Sequence, residues 1–264
     1  MLNIKNVLKV KRIFKNLIKK QKTIEMKDEA GITQLFGKSF HYHHESSFEN
    51  TYAEIFKKGI YNFRTTRDRP LIIDCGANMG LSLLFFTRQF PDATIEAFEP
   101  DISVLGVLET NMRTYEMNQV TLHKKAVWIK NESLQFFTNE GMGGRLKHDY
   151  STERAPADVK AIRLKDFIGN RVVDFLKIDI EGAEVDVITD IEEKLPQIGH
   201  IFLEYHSPVS GEQKLEQVLN LFKRNGFRYH LSESFAQKQP FIDRVMVDEM
   251  FDMCINIFAY RAEN

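Results

Sequence analysis

The chain has 264 residues, of which 43% are hydrophobic, so it can bury the core of one large α/β domain or two small ones. A formal net charge of −1 excludes a protein that binds nucleic acid through an overall basic surface. No apolar run reaches the roughly 18 residues of a membrane span, and no signal peptide is visible, so we expect a cytoplasmic protein whose Cys75 and Cys254 are reduced core thiols.

The first 24 residues, MLNIKNVLKVKRIFKNLIKKQKTI, carry eight lysines or arginines and no acid. Their apolar residues recur with helical spacing, which predicts a basic amphipathic helix. Such a helix suits peripheral contact with an anionic membrane surface, and it equally suits packing on the domain or on a second subunit in a homodimer. With the aromatic-rich stretch that follows, we assign 1–66 as an arm and cap on a domain spanning 67–264.

From residue 70 onward, strand-like and helix-like segments alternate. The strand-like segments are 71–75, 94–98, 120–123, 172–178, 200–205, 227–231 and 254–260, and the helix-like segments are 79–89, 102–115, 184–194 and 212–225. This alternation predicts an α/β fold with a mostly parallel sheet and helices on both faces. No clear helix separates the last two strands, so we expect one antiparallel strand at that edge.

The segment LIIDCGANMG, residues 71–80, predicts a ligand site where the first strand ends. Gly76 makes the turn, and Gly80 lets the following helix pack close to the strand. The GxNxG spacing matches neither the dinucleotide fingerprint nor the triphosphate-binding loop. Asp74 would repel a phosphate, but it would suit a cationic ligand such as one that bears an amino group and a sulfonium.

The segment TIEAFEPD ends the second strand at Glu99, about 20 residues beyond the glycine turn. A carboxylate at this position can accept hydrogen bonds from both hydroxyls of a ribose. We therefore predict that Glu99 binds the sugar of a nucleoside cofactor.

Polar side chains also follow two later strands. The segment FLKIDIEGAE supplies Asp179, Glu181 and Glu184, of which the last two could simply cap the next helix. The segment HIFLEYHS supplies Glu204 and His206 at the end of the strand that should lie beside it. We expect these side chains to open on the same crevice, since parallel strands place their carboxyl ends at one edge.

Together, IDCGANMG, EAFEP, LKIDIEGAE and FLEYH resemble the FkbM-type S-adenosylmethionine-dependent methyltransferases, over about residues 52–260. The resemblance implies a Rossmann-like class I methyltransferase fold: a seven-stranded sheet of order 3-2-1-4-5-7-6, with strand 7 antiparallel. It also implies that S-adenosyl-L-methionine is the cofactor. The cofactor-binding positions that it implies are Asp74, Gly76, Asn78, Gly80, Glu99, Ala126 and Asp179.

The same resemblance implies O-methylation of a hydroxyl, on a sugar, a glycan or a secondary metabolite. Methylation of a peptide carboxylate or a nitrogen, and a non-catalytic binding role, are the alternatives. In the catalytic hypothesis Asp179, Glu204 and His206 surround the acceptor, and His206 or Asp179 takes its proton. In the rival hypothesis these three residues hold a divalent cation such as magnesium, which lowers the pKa of the hydroxyl.

Overall fold

The computed structural model describes residues 29–137, 145–146, 157–209, 211–235, 241–242 and 251–261. The predicted basic helix over 1–24 lies outside the described residues. None of the described helices is both long enough and apolar enough to cross a membrane.

The described strands and helices follow one another along the chain with short connections. In chain order the strands are β1 (Gly31–Leu35), β2 (Lys38–Tyr42), β3 (Leu71–Cys75), β4 (Thr94–Phe98), β5 (Val120–His123), β6 (Ala126–Trp128), β7 (Ser133–Phe137), β8 (Arg145–Leu146), β9 (Ala157–Arg163), β10 (Val173–Ile178), β11 (Ile198–Pro208), β12 (Phe227–Phe235) and β13 (Phe251–Arg261). The helices are α1 (Glu45–Tyr52), which continues into a π-helical turn (Ala53–Lys58), α2 (Leu81–Gln89), α3 (Ile102–Thr114), α4 (Leu164–Ile168), α5 (Glu184–Asp190), a 3-10 helix (Glu192–Gln197) and α6 (Leu215–Arg224).

Seven of these strands form the central sheet in the order β12-β13-β11-β10-β3-β4-β5. Strands β3, β4, β5, β10 and β11 run parallel, whereas β13 is antiparallel to both of its neighbours. This is the order that the family resemblance implies. Strand β13 is the antiparallel strand that the sequence predicted near this edge of the sheet. The parallel strands β3 and β10 are buried along their whole length, because helices cover both faces of the sheet.

A second sheet, of order β6-β9-β7-β8, was not predicted from the sequence. Two of its strands, β6 and β8, have only three and two residues, too few for an alternation of apolar and polar side chains to be recognised. Ala126 begins β6 and pairs with Ala161 of β9, so this sheet continues directly from the end of the central strand β5.

The residues before β3 pack on one face of the central sheet. Phe40, Ile55 and Tyr61 are buried in the same hydrophobic cluster as Leu84 and Phe86 of α2. The side chain of Asn111 in α3 also holds the β1–β2 hairpin, since its Oδ1 accepts from the backbone of β2 at 2.8 Å and its Nδ2 donates to it at 2.9 Å. The described part of the cap thus shares its core with the sheet.

Both cysteines are free and buried, in agreement with the sequence. Burial raises the pKa of the Cys75 thiol far above its usual range and that of Cys254 to about 12. Both thiols are therefore protonated and unreactive at neutral pH.

Candidate active site

A crevice opens at the carboxyl ends of β3, β4 and β10. Ligands of open α/β sheets bind at this edge. Five of the predicted cofactor positions line it: Gly76, Asn78, Glu99, Ala126 and Asp179.

The turn after β3 forms one wall of the crevice, and glycine is needed where the turn meets β10. Gly76 has φ 96°, and a Cβ built on it would lie 1.9 Å from the carbonyl oxygen of Asp179. Only a residue without a side chain allows this close approach. Gly80, at φ 91°, lies outside the lining, where a Cβ would press on Leu108 at 2.8 Å. Gly80 therefore allows α3 to pack against the start of α2, whereas the sequence analysis assigned it to close packing between that helix and the strand.

Asp74 does not reach the crevice. Its side chain is fully buried under the turn, where Ser82 donates to Oδ2 at 2.5 Å and Lys177 lies 3.3 Å from Oδ1. The negative charge of Asp74 is thus balanced inside the protein. The sequence predicted that this charge faces a cationic ligand, and the structure does not place it there. The Asp74 side chain lies under the turn and does not line the crevice.

Lys177 of β10, which the sequence analysis did not single out, joins the ends of two strands. Its Nζ donates to the carbonyl of Gly76 at 2.7 Å and lies 3.2 Å from the carboxylate of Asp179. Burial alone would lower the pKa of Lys177, but Asp179 and Asp74 more than offset this and hold it well above its usual value. A lysine in an otherwise apolar, buried strand was the signal for a buried acidic partner.

Glu99 is 7% exposed and faces the crevice from the end of β4. Its two carboxylate oxygens accept from the backbone amides of Asn78 at 2.8 Å and Asp101 at 2.9 Å. These two bonds fix the plane of the carboxylate, and each oxygen keeps a further lone pair for a ligand hydroxyl. Burial raises the pKa of Glu99 to about 7, against the opposing effect of the two amide bonds.

The turn between β10 and α5 presents Asp179 and Glu181 to the crevice. Glu184 is fully buried behind it and accepts from the backbone amides of Ile180 at 3.1 Å and Gly182 at 2.9 Å. Glu181 itself has φ 58°, in the left-handed region that non-glycine residues rarely adopt. Glu184 thus braces the turn, as its position near a helix start suggested, whereas Glu181 points into the site.

His206 lies behind this turn and is 6% exposed. Its Nδ1 is 3.1 Å from Glu184, and its Nε2 is 3.5 Å from Glu181 and 3.9 Å from Glu204. Burial lowers the pKa of His206, but the charges of Glu181 and Glu184 outweigh that effect and place it well above the usual value. In the metal-free protein these charges favour the protonated imidazole, which disfavours the hypothesis that it takes a proton from the acceptor.

Glu204 is less central than the sequence suggested. Ser234 of β12 donates to its carboxylate, and neither Glu204 nor His206 belongs to the crevice lining. Burial and the nearby charge of Asp179 raise the pKa of Glu204 to about 8. The carboxylates nearest to the His206 ring are those of Glu181 and Glu184, and Asp179, Glu181 and His206 present ligand atoms within 4.8 Å of one another. The predicted Glu204 also lies beside this ring, at 3.9 Å, and interacts with Asp179.

The cap contributes to the same region. Glu54 of the π-helical turn is close enough to Asp179 for the two carboxylates to interact, and Tyr61 interacts with Lys177 and Asp179. The sequence analysis missed both residues because they precede the first strand of the sheet. Their contact with the site depends on the packing of the cap, which the sequence pattern does not specify.

Comparison with known proteins gives a family match and several relatives. The model of the methyltransferase FkbM domain family matches residues 74–229. "Methyltransferase 1" of Beauveria bassiana is 28% identical over 171 residues, covering 55% of this chain and 68% of that protein. The "2-O-methyltransferase NoeI" of Sinorhizobium fredii is 27% identical over 173 residues, covering 58% and 70%. The solved structure of M. jannaschii TYW2 in complex with AdoMet aligns with a TM-score of 0.45 at 9% identity, over 89% of this chain and 88% of that one.

Proposed function

The chain belongs to the FkbM methyltransferase family, and from this premise we propose that it transfers a methyl group from S-adenosylmethionine to a hydroxyl of a sugar, a glycan or a secondary metabolite. The observation that carries the proposal is the crevice at the ends of β3, β4 and β10, with a fixed carboxylate at one end and an acidic cluster at the other. The relative named a 2-O-methyltransferase favours oxygen as the acceptor atom.

The crevice residues fit the proposed cofactor. Glu99 offers ionisable oxygens whose orientation two backbone amides already fix, which suits the two hydroxyls of a ribose. The backbone at Gly76 lies directly against that of Asp179, and Gly76 and Asn78 both line the crevice. Ala126 and Val127 supply an apolar wall that suits an adenine ring. Asp179 lies at the opposite end, where the methionine part and its methyl group belong.

When bound, S-adenosylmethionine supplies a methyl group on a positively charged sulfur. The chain contributes mainly by alignment, because the acceptor oxygen must approach in line with the bond that breaks. The oxygen–carbon bond forms as the carbon–sulfur bond breaks, and S-adenosylhomocysteine and a methyl ether are the products. The hydroxyl proton goes to Asp179, or to solvent if a cation binds the hydroxyl and lowers its pKa.

The charge of the site favours a neutral hydroxyl over the alternative acceptors. Asp179 and Glu181 line the crevice, and Glu54 and Glu204 lie near Asp179. An anionic acceptor such as a peptide carboxylate would meet like charges at short range, which disfavours its binding. A neutral polyol meets no such repulsion, and it can donate hydrogen bonds to the carboxylates.

The test uses the full chain with methyl-labelled S-adenosylmethionine and a panel of glycan, small-hydroxyl and peptide acceptors. We expect a labelled ether that survives mild base. A base-labile product would indicate a methyl ester, and labelled amines would indicate nitrogen as the acceptor. A protein that binds no S-adenosylhomocysteine in calorimetry would contradict the proposal as a whole.

A divalent cation such as magnesium is the remaining alternative for activating the hydroxyl. Activity that disappears in EDTA and returns with a divalent salt would favour it. Full activity in EDTA would leave Asp179 as the proton acceptor, and Asp179→Asn should then lower kcat at least ~100-fold, as for loss of a general base.

A further inference from the structure

We infer that Asp179, Glu181 and His206 form a binding site for one divalent transition-metal ion, and that Glu184 orients His206 toward it. One ligand atom from each of the three residues lies within 4.8 Å of the others. Ligands at about 2.0–2.2 Å from a metal ion lie no more than about 4.4 Å apart. Small side-chain movements therefore suffice to close the three groups around an ion.

The imidazole of His206 has the setting that metal-binding histidines usually have. Its Nδ1 is 3.1 Å from Glu184, which leaves Nε2 directed toward Glu181. A carboxylate that accepts from one ring nitrogen fixes the tautomer and the ring orientation, so that the other nitrogen can bind metal. The 3.5 Å between Nε2 and the carboxylate of Glu181 exceeds a normal charge-assisted hydrogen bond.

The backbone places Glu181 in the cluster at a conformational cost. Its φ of 58° lies in the left-handed region that non-glycine residues rarely adopt. The neighbouring amides at 180 and 182 both donate to Glu184, the same carboxylate that contacts His206. A single buried side chain thus holds both the turn that presents Glu181 and the ring that faces it.

The position of the cluster allows a cation to reach it. Asp179 and Glu181 line the crevice and are about one quarter exposed, so an ion can approach them from solvent. Behind them, Glu184 contacts His206, and Lys177 is shared between Asp179 and the buried Asp74.

The ligand set indicates which cation. Magnesium and calcium prefer oxygen ligands alone, imidazole nitrogen suits zinc and iron, and carboxylates suit manganese. Two carboxylates with one imidazole therefore favour manganese or zinc over the magnesium suggested by the sequence. Because Asp179 and Glu181 also line the crevice, a bound ion could coordinate the acceptor hydroxyl and lower its pKa. That consequence rests on the proposed function, whereas binding of the ion does not.

The test is a titration of the EDTA-treated, dialysed full chain with Mn²⁺, monitored by the electron paramagnetic resonance signal of the free ion. We expect one Mn²⁺ per chain, with Mg²⁺ binding at least ~10-fold more weakly. Glu181→Gln should raise the Kd for Mn²⁺ at least ~10-fold, and so should Glu184→Gln through loss of orientation at His206. Glu116→Gln, which removes the same charge from an exposed position, should leave the Kd unchanged.

Absence of Mn²⁺ and Zn²⁺ binding up to about 1 mM, the weak end of protein cation affinities, would overturn the inference. So would a Glu181→Gln variant that binds Mn²⁺ as tightly as the parent protein. Glu181 is 26% exposed, so this variant should fold even if a change at buried His206 does not. S-adenosylhomocysteine binding, measured on the same samples, separates the two proposals: cofactor binding without Mn²⁺ refutes the metal site alone, and the reverse refutes the methyltransferase assignment alone.

Discussion

Binding of the cofactor's ribose should depend on pH through Glu99. Burial raises the pKa of this carboxyl to about 7 in the ligand-free protein, so it is mostly protonated at pH 6 and mostly ionised at pH 8. Both of its oxygens already accept backbone amides, and the ionised form is the one that can also accept from two ribose hydroxyls.

The magnitude follows from the ionised fraction, which is about one eleventh at pH 6 and about ten elevenths at pH 8 for a pKa of about 7. The apparent Kd should therefore be about 10-fold higher at pH 6 than at pH 8, a difference of about 1.4 kcal/mol. Above pH 8 the Kd should become constant.

Protonation of Glu99 has the opposite effect on the stability of the ligand-free protein, which is higher at low pH. The folded-state pKa of Glu99 is raised above the usual 4.5, so its contribution is fully present below pH 4.5 and is lost as the pH rises through about 7. Raising a pKa this far corresponds to about 3 kcal/mol for this buried group. Ligand should therefore raise the Tm more at pH 8 than at pH 6, where less of the binding-competent form exists.

The assay is calorimetric titration with 5′-methylthioadenosine at pH 6, 7 and 8. This probe carries the adenine and the ribose but no amino acid, so ionisation of the carboxylates at the other end of the crevice does not affect the measured Kd. Glu99→Gln should weaken binding at pH 8 by about 1.5–3 kcal/mol and abolish the pH dependence. Equal Kd values at pH 6 and pH 8, or the same tenfold change in the variant, would refute the reasoning.

Three further substitutions test how the crevice and its cap are held together. Lys177→Met leaves buried carboxylates without a counter-charge, so it should lower the free energy of unfolding in urea by about 3–5 kcal/mol. Adding Asp74→Asn should recover part of this loss. A loss under about 1 kcal/mol would count against the ion pair. Gly76→Ala should abolish S-adenosylhomocysteine binding or prevent folding, whereas the control Gly106→Ala, in α3 with open space around its Cβ, should be neutral or stabilising by thermal unfolding. Asn111→Leu removes the hydrogen bonds to the β1–β2 hairpin and should cost about 2–3 kcal/mol, and an unchanged Tm would contradict that role.

The central sheet was predictable because its signals are local. Each parallel strand is a short apolar run followed by a turn, and each following helix repeats its apolar residues at helical spacing, so both periods are visible in the sequence. The observed bounds of β3, β4 and β5 coincide with the predicted segments. The second sheet lacks such signals, since β6 has three residues and its partner β9 lies some 30 residues further along the chain.

The lining of the crevice was also predictable, but the pairing of charges behind it was not. Glu99, Asn78 and Ala126 line the crevice because strand ends meet at one edge whatever their side chains do. Which carboxylate meets which cation depends on side-chain direction and on the turn after β10. In that turn Glu181 adopts a left-handed backbone conformation, which no sequence periodicity indicates, and its carboxylate lies closer to His206 than that of Glu204 does.

Two acidic groups at neighbouring strand ends therefore serve different purposes. Asp74 is fully buried and has its own ammonium partner in Lys177, so it stabilises the turn and adds little field to the crevice. Asp179 and Glu181 are about one quarter exposed and line the crevice, so their negative charge lies on the crevice side. A cation that enters the crevice should be attracted to this end, which is the end where we propose that the methyl group meets its acceptor.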